Sequence, residues 1–199
     1  MTPHVPTLGL IGAIGAGKTT AARLLAALGG HVIDCDKLGH DALEVPTVKE
    51  QLVARWGNGI LMDDGRANRR AIGEVVFQKP TERQALEAIV FPVIGALAQQ
   101  RLDAAPAATR FCVLDAAVLL EAGWRTKCDK ILYIDAPRPL RLERLNQRSG
   151  WNESELSARE AAQWPIAKKQ AAADALIVND GPTEALYDQL NHVLISWNW

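Results

Sequence analysis

The eight residues Gly12-Ala13-Ile14-Gly15-Ala16-Gly17-Lys18-Thr19 match G-x-x-x-x-G-K-[ST] at every fixed position. An apolar run at 8–11 precedes them, and Ala21, Leu24, Leu25 and Leu28 follow at the i, i+3, i+4, i+7 spacing of one helix face. Gly29 and Gly30 then end that helix. A strand, a glycine-rich turn and a helix in this order form a phosphate loop. Glycines let successive N–H groups curl toward phosphate oxygens, and the helix N-terminus adds its positive dipole end. Lys18 is placed to reach the β- and γ-phosphates of a nucleotide and Thr19 to ligate Mg²⁺, with Thr20 next on the helix.

Further apolar runs at 31–33, 111–114, 130–134 and 175–178 alternate with helical patterns. Five buried strands separated by helices predict an α/β fold with a parallel sheet. Residues 36–108 carry helical periodicity and no convincing strand, with a turn at Asp63-Asp64-Gly65, and so read as a helical insertion between the second and third strands. Residues 145–172, rich in Arg, Lys, Gln and Glu, read as a mobile lid. The 199 residues otherwise suit one domain closed by a last helix with Leu186, Leu190, Val193, Leu194 and Trp197 on one face.

With 22 basic against 23 acidic side chains, the chain has no positive excess for nucleic-acid or membrane-surface binding. There is no run of about 18 uncharged apolar residues and no basic-then-apolar leader, so a cytoplasmic protein is expected. Cys35, Cys112 and Cys128 form no C-x-x-C pair and read as reduced structural thiols, while His4, His31, His40 and His192 have no ligand spacing. The six tryptophans are mostly scattered, as packing residues rather than a stacking platform.

A phosphate loop does not by itself name an acceptor. Asp34 and Asp36, spaced i, i+2 after the second strand, fall on one side if that strand continues, at the sheet end that faces a ligand crevice. Either can accept the proton of an attacking hydroxyl; the alternative is a helix cap and a solvated partner. Asp115, closing the third strand, is read either as an Mg²⁺ contact or as a helix cap. Arg141, Arg144 and Arg148 share one helix face that can close over phosphates, alongside Arg138.

Three function classes share these features. A shikimate-kinase-like enzyme would carry a glycine triplet where this chain has Asp115-Ala116-Ala117. A guanine-nucleotide switch would need N-K-x-D, which is missing although Asp36-Lys37-Leu38-Gly39 fits D-x-x-G by letters. A nucleotide-binding regulatory protein would need neither the paired carboxylates nor the arginine-rich lid.

From residue 8 to about 181 the chain resembles the dephospho-CoA kinase family. The likeness is carried by the phosphate loop, Val32-Ile33-Asp34-Cys35-Asp36, Asp64-Gly65 with Asn68-Arg69-Arg70, and Asp115 to Glu121. It continues in Leu142-Glu143-Arg144-Leu145-Asn146-Gln147-Arg148, Arg159 with Gln163, and Ala173-Asp174 leading to Asn179-Asp180-Gly181. The resemblance implies a nucleoside-monophosphate-kinase-like fold and transfer of the ATP γ-phosphoryl group to the ribose 3′-hydroxyl of dephospho-CoA, by a monomer or small homo-oligomer. It implies Asp36 as base, Lys18 and Arg144 on the phosphates and Asn179 near the adenine of ATP. By the same likeness Asp34, Asp36, Arg69, Leu119 and Arg148 serve the acceptor, and Mg²⁺ sits at Thr19 with Asp36 or Asp115. Two departures stand out: Phe91-Pro92 where the family has His-Pro, and Val118-Leu119-Leu120 where it has Pro-Leu-Leu.

Overall fold

The structure, a computed structural model, describes residues 5–77 and 79–199; His4 lies outside the described residues. The first strand, β1 (Thr7–Gly12), is buried along its whole length and pairs in parallel with β3 (Phe111–Asp115) on one side and β4 (Lys130–Asp135) on the other. β2 (Gly30–Asp34) adds to β3 and β5 (Ala175–Val178) to β4, giving a five-stranded parallel sheet of order β2-β3-β1-β4-β5. The near-continuous apolar runs of β1, β3 and β4 suit strands covered on both faces. The connections leave β1 toward one side of the sheet and later arrive on its other side. The carboxyl end of β1 is therefore the topological switch point, where open parallel sheets bind ligands.

Two compact units divide the chain: residues up to Asp34 together with Ala104–Trp199, and Cys35–Asp103. The first holds the sheet, with α1 (Lys18–Ala27) after β1 and α6 (Arg138–Ser149), α7 (Glu153–Ala161) and α8 (Ile166–Ala171) between β4 and β5. The closing helix α9 (Thr183–Ser196) buries Leu186, Leu190 and Leu194. Trp197 and Trp199 meet edge-on with centroids 5.3 Å apart and Phe111 6.1 Å from Trp199, so these tryptophans pack.

The second unit contains α2 (Cys35–Leu43), α3 (Pro46–Trp56), α4 (Arg69–Phe77) and α5 (Pro80–Asp103). The expected turn at Asp63-Asp64-Gly65 is present, with Gly65 at φ 77°, Arg66 Nε donating to Asp64 Oδ2 at 2.7 Å and Leu61 bridging Ala67. Glu82 joins α5 to α3 by accepting from Arg55 Nε and Trp56 Nε1, each at 2.8 Å. α5 carries Pro92 in its interior and is, by length and composition, apolar enough to cross a membrane. Within this unit it is the helix on which α2, α3 and α4 pack.

Candidate active site

Past Gly12 the chain keeps one more bond to β4, Ala13 N donating to Ile134 O at 3.1 Å, and then turns, with Ala16 N donating to Ala13 O at 3.0 Å. Gly15 and Gly17 hold φ of 81° and 92°, a conformation that L side chains adopt only under strain. The loop is packed from outside as well. A Cβ on Gly15 would stand 2.9 Å from Arg141 O and Leu145 Cδ1, and one on Gly17 would collide with the Asn179 side chain. The buried Asn179 amide donates to Ala16 O at 2.8 Å. This residue, expected near adenine, braces the loop itself.

Lys18 opens α1, and its Nζ is paired with Asp115 Oδ1 at the end of β3. The chain after Asp115 turns rather than entering a regular helix, and the carboxylate stands beside the phosphate loop through its pairing with Lys18. Asp34 closes β2 in register with Asp115. Asp36 does not continue that strand. Cys35 begins α2, so Asp36 lies exposed in the first helical turn of the second unit, and the expectation of two carboxylates on one strand face is corrected. A carboxylate in that turn is favoured by the helix dipole. Thr19 is exposed in the first turn of α1 and Thr20 half-buried.

α6 separates its arginines by depth. Arg141 is 3 % exposed, and its Nη1 donates to Ile14 O at 3.0 Å and to Glu160 Oε1 at 2.6 Å, while Nε donates to Ala136 O at 3.1 Å. Arg141 is therefore committed to holding the loop backbone and is not available to phosphate, contrary to the shared-face expectation. Arg138 pairs with Glu160 and Glu153. Burial alone would raise the Glu160 carboxyl; the hydrogen bonds from Arg141 and Arg138 outweigh it and hold the group below the usual glutamate range. Arg144, one helical turn on, keeps a buried Nη1 with no hydrogen-bond partner, 3.9 Å from where a Gly17 side chain would begin. Arg148 is exposed in the last turn, and Arg69 is exposed at the start of α4.

Leu119, expected at the acceptor, is wholly buried against Gly9. It is a core residue with no surface to offer a ligand. A second buried cation, Lys169 on α8, is 2 % exposed and donates to Ala117 O at 2.8 Å, Gln163 Oε1 at 2.9 Å and Glu121 Oε1 at 2.9 Å. Glu121 Oε1 also accepts from Trp164 N at 2.9 Å. Residues 145–172 are thus pinned at two points, the half-buried Glu160 and the buried Lys169. Sequence reading missed both, because a charged residue in a charge-rich stretch gives no sign of burial; only the pairing of each with an opposite charge makes burial tolerable.

A strand, phosphate loop, helix unit with a free guanidinium nitrogen aimed beside its last glycine is built to hold a nucleotide's phosphates. The comparisons with known proteins agree. The family model described as dephospho-CoA kinase matches residues 6–185. The chain is 42 % identical over 181 residues to a dephospho-CoA kinase of Methylococcus capsulatus, covering 90 % of each chain. It is 36 % identical over 194 residues to that of Geobacillus kaustophilus, covering 96 % of each. A solved structure from Thermus thermophilus superposes with a TM-score of 0.82 at 34 % identity, covering 98 % of both chains. The chain belongs to the dephospho-CoA kinase family.

Proposed function

We propose that the chain transfers the γ-phosphoryl group of ATP to the ribose 3′-hydroxyl of dephospho-CoA, giving coenzyme A and ADP. The observation that carries this reading is the buried, unpartnered Nη1 of Arg144 beside the phosphate loop. A buried donor without an acceptor costs about 1–3 kcal/mol, more when charged, and a phosphate oxygen on the loop removes that cost.

Phosphoryl transfer asks little covalent chemistry of the protein; it asks for positioning and for cations where charge spreads over the phosphoryl oxygens. Residues 12–19 hold the triphosphate by backbone N–H groups, Lys18 reaches its outer phosphates, and Arg144 holds a phosphoryl oxygen. Asp36 orients the 3′-hydroxyl and takes its proton as the new P–O bond forms and the bond to ADP breaks. Support for Asp36 comes from its place two residues beyond Asp34, which ends β2 in register with Asp115, together with the family spacing. Arg69 and Arg148, both exposed cations, serve the diphosphate of the acceptor. The helical unit receives the acceptor, and residues 145–172 shield the transfer from water.

The donor set fits magnesium: Thr19 presents an exposed hydroxyl, and among the described residues no cluster of three His, Cys, Asp or Glu side chains forms a protein cage for an ion. Mg²⁺ takes few protein ligands and several phosphate or water oxygens. Thr19, with Asp36 or Asp115, would hold it, and when bound it neutralises the β- and γ-phosphate oxygens. The protein works in the cytoplasm, a reading supported by three buried free cysteines that suit a reducing compartment.

The test is ADP release from Mg·ATP with dephospho-CoA, with shikimate and with no acceptor. Turnover with dephospho-CoA alone, yielding coenzyme A, is expected; equal release without an acceptor would overturn the proposal.

A further inference from the structure

Lys169 on α8 is a buried cation that the proposed transfer leaves unused. Its ammonium gives all three protons to protein acceptors, Ala117 O at 2.8 Å, Gln163 Oε1 at 2.9 Å and Glu121 Oε1 at 2.9 Å, and so has none for a ligand. Glu121 also accepts from Trp164 N with Oε1, while its Oε2 is buried without a hydrogen-bond partner. A carboxylate oxygen in that position is tolerated only because an ammonium stands beside it.

Ala117 and Glu121 mark the two ends of the turn that follows β3. The strand closes at Asp115, and the next residue makes a bond back to the sheet, Ala116 N to Leu10 O, at a long 3.4 Å. Ala117 comes next, and its carbonyl is the one Lys169 holds. Farther on the turn closes on itself, Ala122 N donating to Val118 O at 2.9 Å and Trp124 N to Leu119 O at 3.0 Å. One ammonium thus staples both ends of the turn to α8, two residues from the carboxylate that pairs with Lys18. Gln170, beside it on α8, donates to Asp135 Oδ2 at 3.0 Å, at the end of β4. β3 and β4 are the neighbours of β1 on either side. Successive residues of α8 therefore tie down the exits of the two strands that flank the one carrying the phosphate loop.

Resting on the function proposed above, we infer that Lys169 is a positioning residue for phosphoryl transfer: by fixing the turn after β3 it fixes Asp115, and through Asp115 the ammonium of Lys18 at the phosphate loop. Lysine carries its charge on a flexible four-carbon stem, so Lys18 points where its counter-charge stands. Transfer depends on where cations meet the phosphoryl oxygens, and a displacement of about 1 Å can cost about 10²-fold in rate. Affinity for the acceptor does not run through this series of contacts.

The experiment measures ADP and coenzyme A together for Lys169→Met, for Asp115→Asn and for the two combined, with dephospho-CoA varied at saturating Mg·ATP. Lys169→Met should lower kcat by about 10- to 100-fold, keep KM for dephospho-CoA within about twofold and still form one coenzyme A per ADP. In the Asp115→Asn background the same substitution should lower kcat by no more than about threefold, because the charge it positions is already gone. An equal fall in both backgrounds, or ADP released in excess of coenzyme A, would mark a loosened structure rather than a misplaced Asp115 and overturns the inference. Lys169→Met combined with Glu121→Gln removes both charges of the pair and leaves no buried ion unpaired; it is read by the same criteria if Lys169→Met alone does not fold. Wild type that makes no coenzyme A overturns the function and this inference together, whereas active wild type with an unaltered kcat in Lys169→Met removes the inference alone.

Discussion

At Gly17 two independent facts meet: a φ of 92° and an Asn179 side chain where a Cβ would stand. Gly17→Ala should therefore abolish nucleotide binding and lower the melting temperature, whereas Asn179→Ala, which loses one buried hydrogen bond to Ala16 O, should cost about 1 kcal/mol in denaturant unfolding and raise KM for ATP. Asp36 is different, because it is exposed, whereas Lys18 is the ion-pair partner of the buried Asp115. Lys18→Ala and Asp36→Asn should each reduce kcat by about 10²–10⁴-fold with far-UV circular dichroism kept, while melting stays as in wild type for Asp36→Asn and falls for Lys18→Ala, which leaves Asp115 without its counter-charge. Near-normal turnover by Asp36→Asn would move the base to Asp34 or Asp115. The roles of Gly12 to Thr19 were legible because a phosphate loop is a local device, fixed by residue type and spacing along a few residues. Arg141 was misread because depth is not a local property: three arginines on one helix face look alike in sequence, and packing alone decides that Arg141 goes under the loop and Arg148 into solvent.

Among elements, α6 and α7 are coupled by charge. Arg141 Nη1 is shared between Ile14 O and Glu160 Oε1, so the first turn of the phosphate loop and α7 hang on one guanidinium. Glu160→Gln leaves that buried cation without its counter-charge and should destabilise the protein by about 1–3 kcal/mol, read as a fall in denaturant midpoint with little change in slope. The sign of the pH effect follows from the lowered carboxyl: Glu160 stabilises the folded state above its ordinary pKa near 4.5, and that contribution fades as pH falls through the folded-state value. Wild type should therefore lose stability more steeply than Glu160→Gln as pH drops below about 4.5, by thermal melts across pH 3–6. α7 begins with a capping box, Asn152 accepting from Ser154 N and Glu155 N while Glu155 caps the Asn152 N–H, which makes it a defined helix within a segment whose composition alone suggested mobility.

For the whole molecule, the cysteines give a readout of cooperative burial. Cys35, Cys112 and Cys128 are buried, and burial pushes the Cys128 thiol up to about 12 and raises that of Cys112. A thiol reagent at pH 8 should label none of the three at an appreciable rate in the folded protein and all of them in denaturant; fast native labelling of Cys35 alone would mean that the helical unit opens independently. The parallel sheet was legible from the sequence because strands buried on both faces must be apolar throughout, and the helical stretch at 36–108 because no strand period competes there. Sequence by itself determined the phosphate loop, the α/β class and the family, since each rests on residue type and order along the chain. Tertiary structure decided that Asp36 lies in a helix rather than on a strand, that Leu119 is core, that Asn179 and Arg141 brace the loop, and that Glu121 and Lys169 tie α8 to the turn after β3. Those roles depend on which distant segments meet and how far water is excluded where they do, and neither quantity is written in the spacing of residues along one chain.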